Sequence, residues 1–243
     1  MRLNLNALAL LPVMLLMANT SSTLTGNKIP ESSVINKVLN TATAEITDHY
    51  SKWNLSVTGL SKQAFIYALK GYQYLLQKNM LRNTGVITIV DYSQPSSEKR
   101  LFVLDLNEGK ILFQTLVAHG RNTGYIYAKD FSNAAASLKT SLGFYITANT
   151  YTGSNGYSLK LKGCEKGIND KAMQRAIVMH GADYATENFL NHNGYLGRSH
   201  GCPAVPEKMS KEIINVIKGG SCMFLYYPAS KYTRNSKILN SPA

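Results

Sequence analysis

The sequence predicts a mainly β domain behind an N-terminal helical segment, an α+β chain overall, on three observations. The stretch from Thr23 to about Asn83 lacks strand alternation and carries apolar residues at helical spacing. From Gly85 onward, short β-type runs alternate with turn residues: VITIVDY, RLFVLDL, KILFQTLVAHG. Hydrophobic residues make up 44% of the chain and charged residues 16%, the composition of a polypeptide that buries a core and not of a solvated one. At 243 residues this accommodates one compact domain with an appendage, or two small domains.

Residues 1–22, MRLNLNALALLPVMLLMANTSS, begin with one positive charge at Arg2, continue through an apolar stretch from Ala7 to Ala18, and end in small polar residues. That layout is a secretory signal peptide, which predicts export to the periplasm or cell wall. A buried N-terminal helix is the competing reading. The apolar run is well short of the roughly 20 residues that span a bilayer, and no cysteine follows it to take a lipid anchor. No stable membrane insertion is therefore expected once the signal is removed.

In the helical segment, residues 23–83, Phe65, Leu69, Tyr72 and Leu76 fall on one helix face, with Ser61 placed to cap its start. This segment is expected to be a supporting collar or small subdomain. The β domain spans residues 84–228. Asn107, Glu108 and Gly109 read as a tight hairpin connection, and TGSNG joins two further strands, LGFYITANTY from Leu142 and SLKLKG from Ser158. The pattern predicts a mainly antiparallel sheet.

RAIVMHG follows as a short strand ending at His180, then a Gly- and Asn-rich loop too long to be a mere connector. Loops of that length on a rigid sheet commonly carry function. Pro206 starts a helix with Met209, Ile213 and Ile217 on one face, closed by Gly219 and Gly220. CMFLYYP is the final strand, and residues 229–243 are expected to form a frayed tail.

The formal charge is +12, so an anionic neighbour fits: nucleic acid, a membrane surface or a wall polymer. Dispersed positive charge that only maintains solubility is the plainer alternative. Export, and the lack of a Lys/Arg block interleaved with aromatics, exclude nucleic acid. The three cysteines are Cys164, Cys202 and Cys222. An odd number leaves at least one unpaired within the chain, and a Cys164–Cys222 disulfide is compatible with an oxidising compartment, although connectivity is not readable from sequence.

Chemistry concentrates in two pieces: His180-Gly181 at a strand end, and Gly197 to Pro203, which reads GRSHGCP. A free thiol with a pKa of about 8.5 is only a few per cent ionised at neutral pH, so a nucleophilic cysteine needs a base. Histidine supplies one. Glycine beside the nucleophile lets backbone amides approach a developing oxyanion, and Gly201 holds that position. A strand and returning loop can bring His180 to Cys202, 22 residues away. His200 is open to three roles: the base, an orienter of His180, or a loop residue. His119 also precedes a glycine and competes as base or cleft residue. A zinc site from His180, His200 and Cys202 lacks a paired HxxxH or CxxC element; no metal and no cofactor are expected.

At these residues the sequence resembles the murein L,D-transpeptidase catalytic domain family, the YkuD-like L,D-transpeptidases. The resemblance runs through VAHGRNTG, FSNAAASLKTSLGFYITANTY, IVMHGADY, GRSHGCPAVP and GGSCMFLYYP, covering roughly Gly85 to Pro228. It implies a β-sandwich-like catalytic domain in which a cysteine attacks the bond after the third residue of a peptidoglycan stem peptide and releases D-alanine. An amine from another stem then takes the acyl group, forming a 3-3 crosslink; with water the outcome is L,D-carboxypeptidase activity. The resemblance makes Cys202 the nucleophile and His180 the base, with His200 and Gly201 shaping the nucleophile loop and its oxyanion hole. Arg198, Ser199, Gly181 and His119 complete the expected site as substrate contacts.

Most of the wider family carry an arginine two positions past the cysteine. Here that position is Ala204, leaving Arg198 and Arg121 as candidates for its task. A papain-like peptidase is disfavoured because its nucleophile precedes its histidine. A non-catalytic wall-binding module would have lost thiol or base, and both are present. The oligomeric state is not readable from sequence.

Overall fold

The computed structural model describes residues 46–241. The expected signal peptide, residues 23–45 of the helical segment and the last two residues lie outside the described residues.

Residues 46–52 are helical, and α1 follows at Lys62–Gln77. Ser61 caps it as its sequence predicts, its Oγ accepting from the Ala64 N–H at 3.2 Å. The Ser61 N–H donates to Asp91 Oδ2 at 3.0 Å, tying the cap to the end of the first strand. Phe65, Ala68, Leu69 and Leu75 are buried from the apolar face of α1. They belong to the same core cluster as the strand residues Ile87, Phe144 and Phe224. The helical segment thus closes one face of the sheet and shares its core.

Eight strands form one mixed sheet: β1 (Val86–Asp91), β2 (Leu101–Asp105), β3 (Lys110–Thr115), β4 (Gly143–Gly153), β5 (Gly156–Gly163), β6 (Val178–Ala182), β7 (Ala204–Pro206) and β8 (Cys222–Tyr226). Their spatial order is β3-β2-β1-β8-β4-β5-β6-β7. The expected hairpins β2–β3 and β4–β5 are antiparallel, as are β1–β2, β4–β8 and β5–β6. Two pairings, β1–β8 and β6–β7, are parallel, so the expectation of a mainly antiparallel sheet holds with these exceptions. A parallel pair needs a long crossover. The loop between β6 and β7, with α2 (Glu187–Asn193), is that crossover, so its length has a topological cause as well.

The edges approach each other past β3, where the Ala118 N–H donates to the Ala204 carbonyl at 2.8 Å in an antiparallel bridge to β7. The expected β-sandwich-like domain is therefore a single sheet curled until it nearly closes. β6 runs two residues beyond the strand end expected at His180. Helix α3 (Glu207–Ile217) starts directly after Pro206, with Ile213 and Ile217 buried.

The C-terminal segment differs from the frayed tail expected. It folds as α4 (Ser230–Asn235) and buries Tyr232, Ser236, Ile238 and Leu239. The buried Glu165 carboxylate holds it in place, accepting from the Ser236 hydroxyl and from the Tyr232 hydroxyl at 3.0 Å. The Cys164–Cys222 disulfide is also absent, since all three cysteines are free thiols and Cys222 is buried. Among the described residues no helix is long and apolar enough to cross a membrane.

Candidate functional site

The GRSHGCP segment forms a bend held on two sides. On one side the strand continuation 118–121 pairs with it: the Ser199 N–H donates to the His119 carbonyl at 3.0 Å, and the Arg121 N–H to the Ser199 carbonyl at 2.7 Å. On the other, Thr140 Oγ1 accepts from the Gly120 N–H at 3.0 Å and donates to the Gly201 carbonyl at 3.1 Å. The bend also closes on itself, because Ser199 Oγ accepts from the Gly201 N–H at 3.1 Å and donates to the Cys202 carbonyl at 2.6 Å.

Gly201 is required by this geometry. Its φ is 123°, a region L side chains rarely adopt, and a Cβ there would lie 2.7 Å from the Lys139 carbonyl oxygen. Its N–H is committed to Ser199 Oγ and is not free to stabilise an oxyanion. The Cys202 N–H has no partner among the described residues.

Cys202 is a partly exposed free thiol. Its Sγ accepts from the Val178 N–H at 3.5 Å and points toward the Ala176 carbonyl at 3.8 Å. Burial pushes the thiol above its ordinary value, opposed by the Val178 N–H and by the charge of Arg175.

His180 stands in β6 opposite Ala204 of β7. Extending that parallel register back by two residues sets Cys202 beside Val178, where the Val178–Sγ contact finds it. Cys202 precedes β7 by two residues, and the contacts of its Sγ are to Val178 and Ala176, the residues two and four before His180. No hydrogen bond joins imidazole and thiol among the described residues; such bonds are commonly long in unliganded enzymes. His180 Nδ1 lies 2.9 Å from the Gly181 carbonyl, so the proton sits on Nδ1 and Nε2 is left as an acceptor without a partner among the described residues. Burial lowers this imidazole, with the Gly181 contact opposing it.

The other expected residues divide. Gly181 supplies the carbonyl that orients His180. Ser199 is buried and its hydroxyl is fully engaged within the bend, so it shapes the bend and presents nothing to a ligand. His119, expected to line the cleft, is 1% exposed. Its Nδ1 accepts from Arg100 Nη2 at 2.8 Å and its Nε2–H donates to the Gly124 carbonyl at 3.1 Å. Burial, reinforced by the Arg100 charge, depresses it to about 3. His200 is exposed and makes no contact with the thiol among the described residues; it lines a 280 Å³ pocket together with Ala176.

Of the candidate arginines, Arg198 rests against Tyr125 and Tyr195, its guanidinium 4.7 and 5.5 Å from the ring centroids. Arg121 is exposed. Ala204 is completely buried among Ala118, Ala182 and Ala185 with Tyr184 packed against them, so an arginine has no room at that position.

Three residues have no local sequence signal. Arg100 is fully buried, stacks on Tyr92 at 4.8 Å, and donates to the Val117 carbonyl from Nη2 at 3.0 Å. Thr140 stitches the bend to the 118–121 strand. Arg175 Nη1 donates to the Ser132 carbonyl at 2.9 Å, and Nη2 donates to the Lys139 carbonyl beside Gly201.

A partly exposed thiol on a glycine bend, held against the strand that carries an imidazole with one free nitrogen, supplies the parts a cysteine-nucleophile site needs. The chain belongs to the L,D-transpeptidase catalytic domain family, whose model matches residues 56–226. Similar solved structures include an L,D-transpeptidase from Mycobacterium smegmatis, at 12% identity and a TM-score of 0.37, covering 59% of each chain. A mutant of the Enterococcus faecium L,D-transpeptidase is similar at 17% identity and a TM-score of 0.34, covering 60% of this chain and 50% of that one. The helical cell shape determining protein Pgp2 of Campylobacter jejuni, also a mutant, is similar at 14% identity and a TM-score of 0.40, covering 71% and 61%. The chain thus spans between half and three-fifths of the length of these proteins. No curated protein matches the chain in sequence.

Proposed function

We propose that this protein is an exported peptidoglycan L,D-transpeptidase that forms 3-3 crosslinks through a Cys202 acyl-enzyme on stem tetrapeptides. Family membership supports an L,D-transpeptidase-type enzyme acting on peptidoglycan. The observation that carries the cysteine chemistry is a partly exposed Cys202 thiol held against Val178, two residues from His180, whose Nε2 is open because Nδ1 is held by Gly181. Export rests on the signal-like residues 1–22.

In this reading His180 Nε2 takes the thiol proton as Sγ attacks the carbonyl carbon of the third stem residue. The oxyanion forms against the unpartnered Cys202 N–H. The C–N bond then breaks, D-alanine leaves as an amine with the proton returned by His180, and a thioester remains. An amine of a second stem attacks the thioester, its proton passing to His180 and then to the thiolate as the peptide crosslink forms. Water in place of that amine gives the carboxypeptidase outcome. General-base assistance contributes about 10²–10⁴-fold to such steps.

Carbapenems acylate such thiols, so wild-type protein is expected to gain one carbapenem mass by intact mass spectrometry, and Cys202→Ala none. An adduct that persists in Cys202→Ala, or fails to form on folded wild type, overturns the reading. Incubation with defined tetrapeptide stems is expected to yield crosslinked dimers; tripeptide as the only product would replace transfer by hydrolysis.

A further inference from the structure

The site's own geometry leaves one cationic pocket unexplained. It measures 280 Å³, and its lining includes Lys171, Gln174, Arg175, Ala176 and His200. It adjoins the nucleophile, because the Ala176 carbonyl lies 3.8 Å from Cys202 Sγ and the Arg175 guanidinium lies 3.2 Å from where a Gly201 Cβ would stand.

No acid lines this pocket. The two acids of the flanking segments are engaged elsewhere: Asp130 pairs with Lys139, while Asp170 accepts from Asn133 Nδ2 at 2.7 Å and from the Gly167 N–H at 2.8 Å. Arg175 is fixed by neutral partners only: the carbonyls of Ser132 and Lys139 and the hydroxyls of Ser137 and Ser141. Its charge is thus positioned and uncompensated. Lys171 makes no ion pair among the described residues.

The backbone adds a second observation. Five non-glycine residues among those described have positive φ, and two of them, Asn54 and Asn79, are of a type that tolerates it. The other three are Ala136 at 54°, Leu138 at 55° and Ala176 at 52°, and all three line this pocket. Strain of this kind persists where the surrounding structure imposes it and concentrates at ligand-binding sites.

We propose that the Lys171–Arg175–His200 pocket binds a carboxylate of the stem peptide next to the scissile bond, so that stems bearing that free carboxylate are the preferred substrates. This rests on the transpeptidase reading of Cys202. Two basic side chains and an imidazole, in a recess without acids beside the nucleophile, favour an anion there. The carboxylates near the scissile bond are the C-terminal one of the fourth residue and, in stems whose third residue bears one, a side-chain carboxylate. Either has the required chemistry.

The test uses full-length protein and three synthetic tetrapeptide stems: unmodified, amidated on the third residue's side-chain carboxylate, and amidated at the C-terminus. Release of the fourth residue is followed. The wild type is expected to show a KM about tenfold higher for one amidated stem, loss of about one charge-assisted contact, with kcat within twofold. That stem identifies the carboxylate. Lys171→Gln, and Gln174→Glu on the same wall, are expected to raise KM for the unmodified stem and shrink the discrimination, with the melting temperature within a few degrees of wild type. Equal KM for all three stems, or both variants discriminating like wild type, overturns the pocket proposal. A wild type that forms no carbapenem adduct overturns the transpeptidase reading instead.

Discussion

The chain contains the dipeptide His-Gly twice in strand-like context, and the two histidines end in opposite states. His119 is locked: Arg100 donates to one ring nitrogen, Gly124 accepts from the other, and the ring is buried edge-on to Tyr92. His180 is half-committed: the Gly181 carbonyl accepts from Nδ1–H, and Nε2 has no partner among the described residues. Both imidazoles are held below their ordinary value by burial. The difference is in unmet hydrogen-bonding capacity. A ring with both nitrogens satisfied is a structural strut, and one with a single free nitrogen can accept a proton.

Exchanging each ring for asparagine gives the largest expected effect and tests the division directly. His180→Asn is expected to slow carbapenem acylation of Cys202 by about 10²–10⁴-fold while leaving the melting temperature within a few degrees. His119→Asn removes the partner of one Arg100 N–H and of the Gly124 carbonyl. Each buried group left unsatisfied costs about 1–3 kcal/mol, a fall of roughly 5–10 °C for a protein of this size. Acylation by the folded fraction is expected to survive within about tenfold. If His119→Asn silences acylation without lowering the melting temperature, and His180→Asn does the reverse, the roles are exchanged.

Local sequence could not distinguish the two, for a physical reason. What commits His119 is Arg100, which enters from β2, and Gly124, which lies past a turn; neither follows from the residues around AHG. The bend that carries Cys202 was legible because Ser199, Gly201 and Cys202 build it locally, and so were the hairpins, the α1 cap and the α3 start, all set by adjacent residues. The parallel β6–β7 pairing, the Glu165 anchor of α4, and the placing of His200 in a pocket with Lys171 and Arg175 depend on contacts between distant segments. Arg175 is the sharpest case. Its importance comes from four carbonyl- and hydroxyl-bearing positions 34 to 43 residues upstream, and no motif marks it.

The next effect concerns stability and acid. In the unfolded chain His119 takes a proton near pH 6.5, whereas in the folded protein it does so only at about 3. As pH falls below 6.5 the unfolded state binds the proton first, so the folded state is fully favoured above pH 6.5 and loses ground down to about pH 3. By pH 5 the loss is about 2 kcal/mol. His180, also lowered, acts in the same direction, and Glu165, whose carboxyl is raised by burial, acts in the opposite one. Urea denaturation at pH 7 and pH 5 is therefore best read as a difference between wild type and His119→Asn. The variant is expected to show a smaller acid destabilisation by about 2 kcal/mol, and an identical pH dependence would mean that this ring is protonated freely in the folded state.

The smallest effect separates how His180 acts from whether it acts. Burial raises the Cys202 thiol and lowers the His180 imidazole, so both shifts favour a neutral thiol beside a neutral imidazole over a thiolate–imidazolium pair. The charge of Arg175 opposes the first shift without being its largest cause. Iodoacetamide, which reports standing thiolate, is accordingly expected to modify Cys202 faster as pH rises through 9, with no plateau near pH 6. Carbapenem acylation draws on the imidazole as a base during attack, so its acid limb is expected to lie below pH 6.5, where burial delays protonation of His180. Peptide mapping resolves Cys202 from Cys164, whose thiol burial pushes up to about 12. An iodoacetamide plateau below pH 7 would show a preformed ion pair. His180 would then be a charged partner of the thiolate, and the open Nε2 would no longer be what distinguishes it from His119.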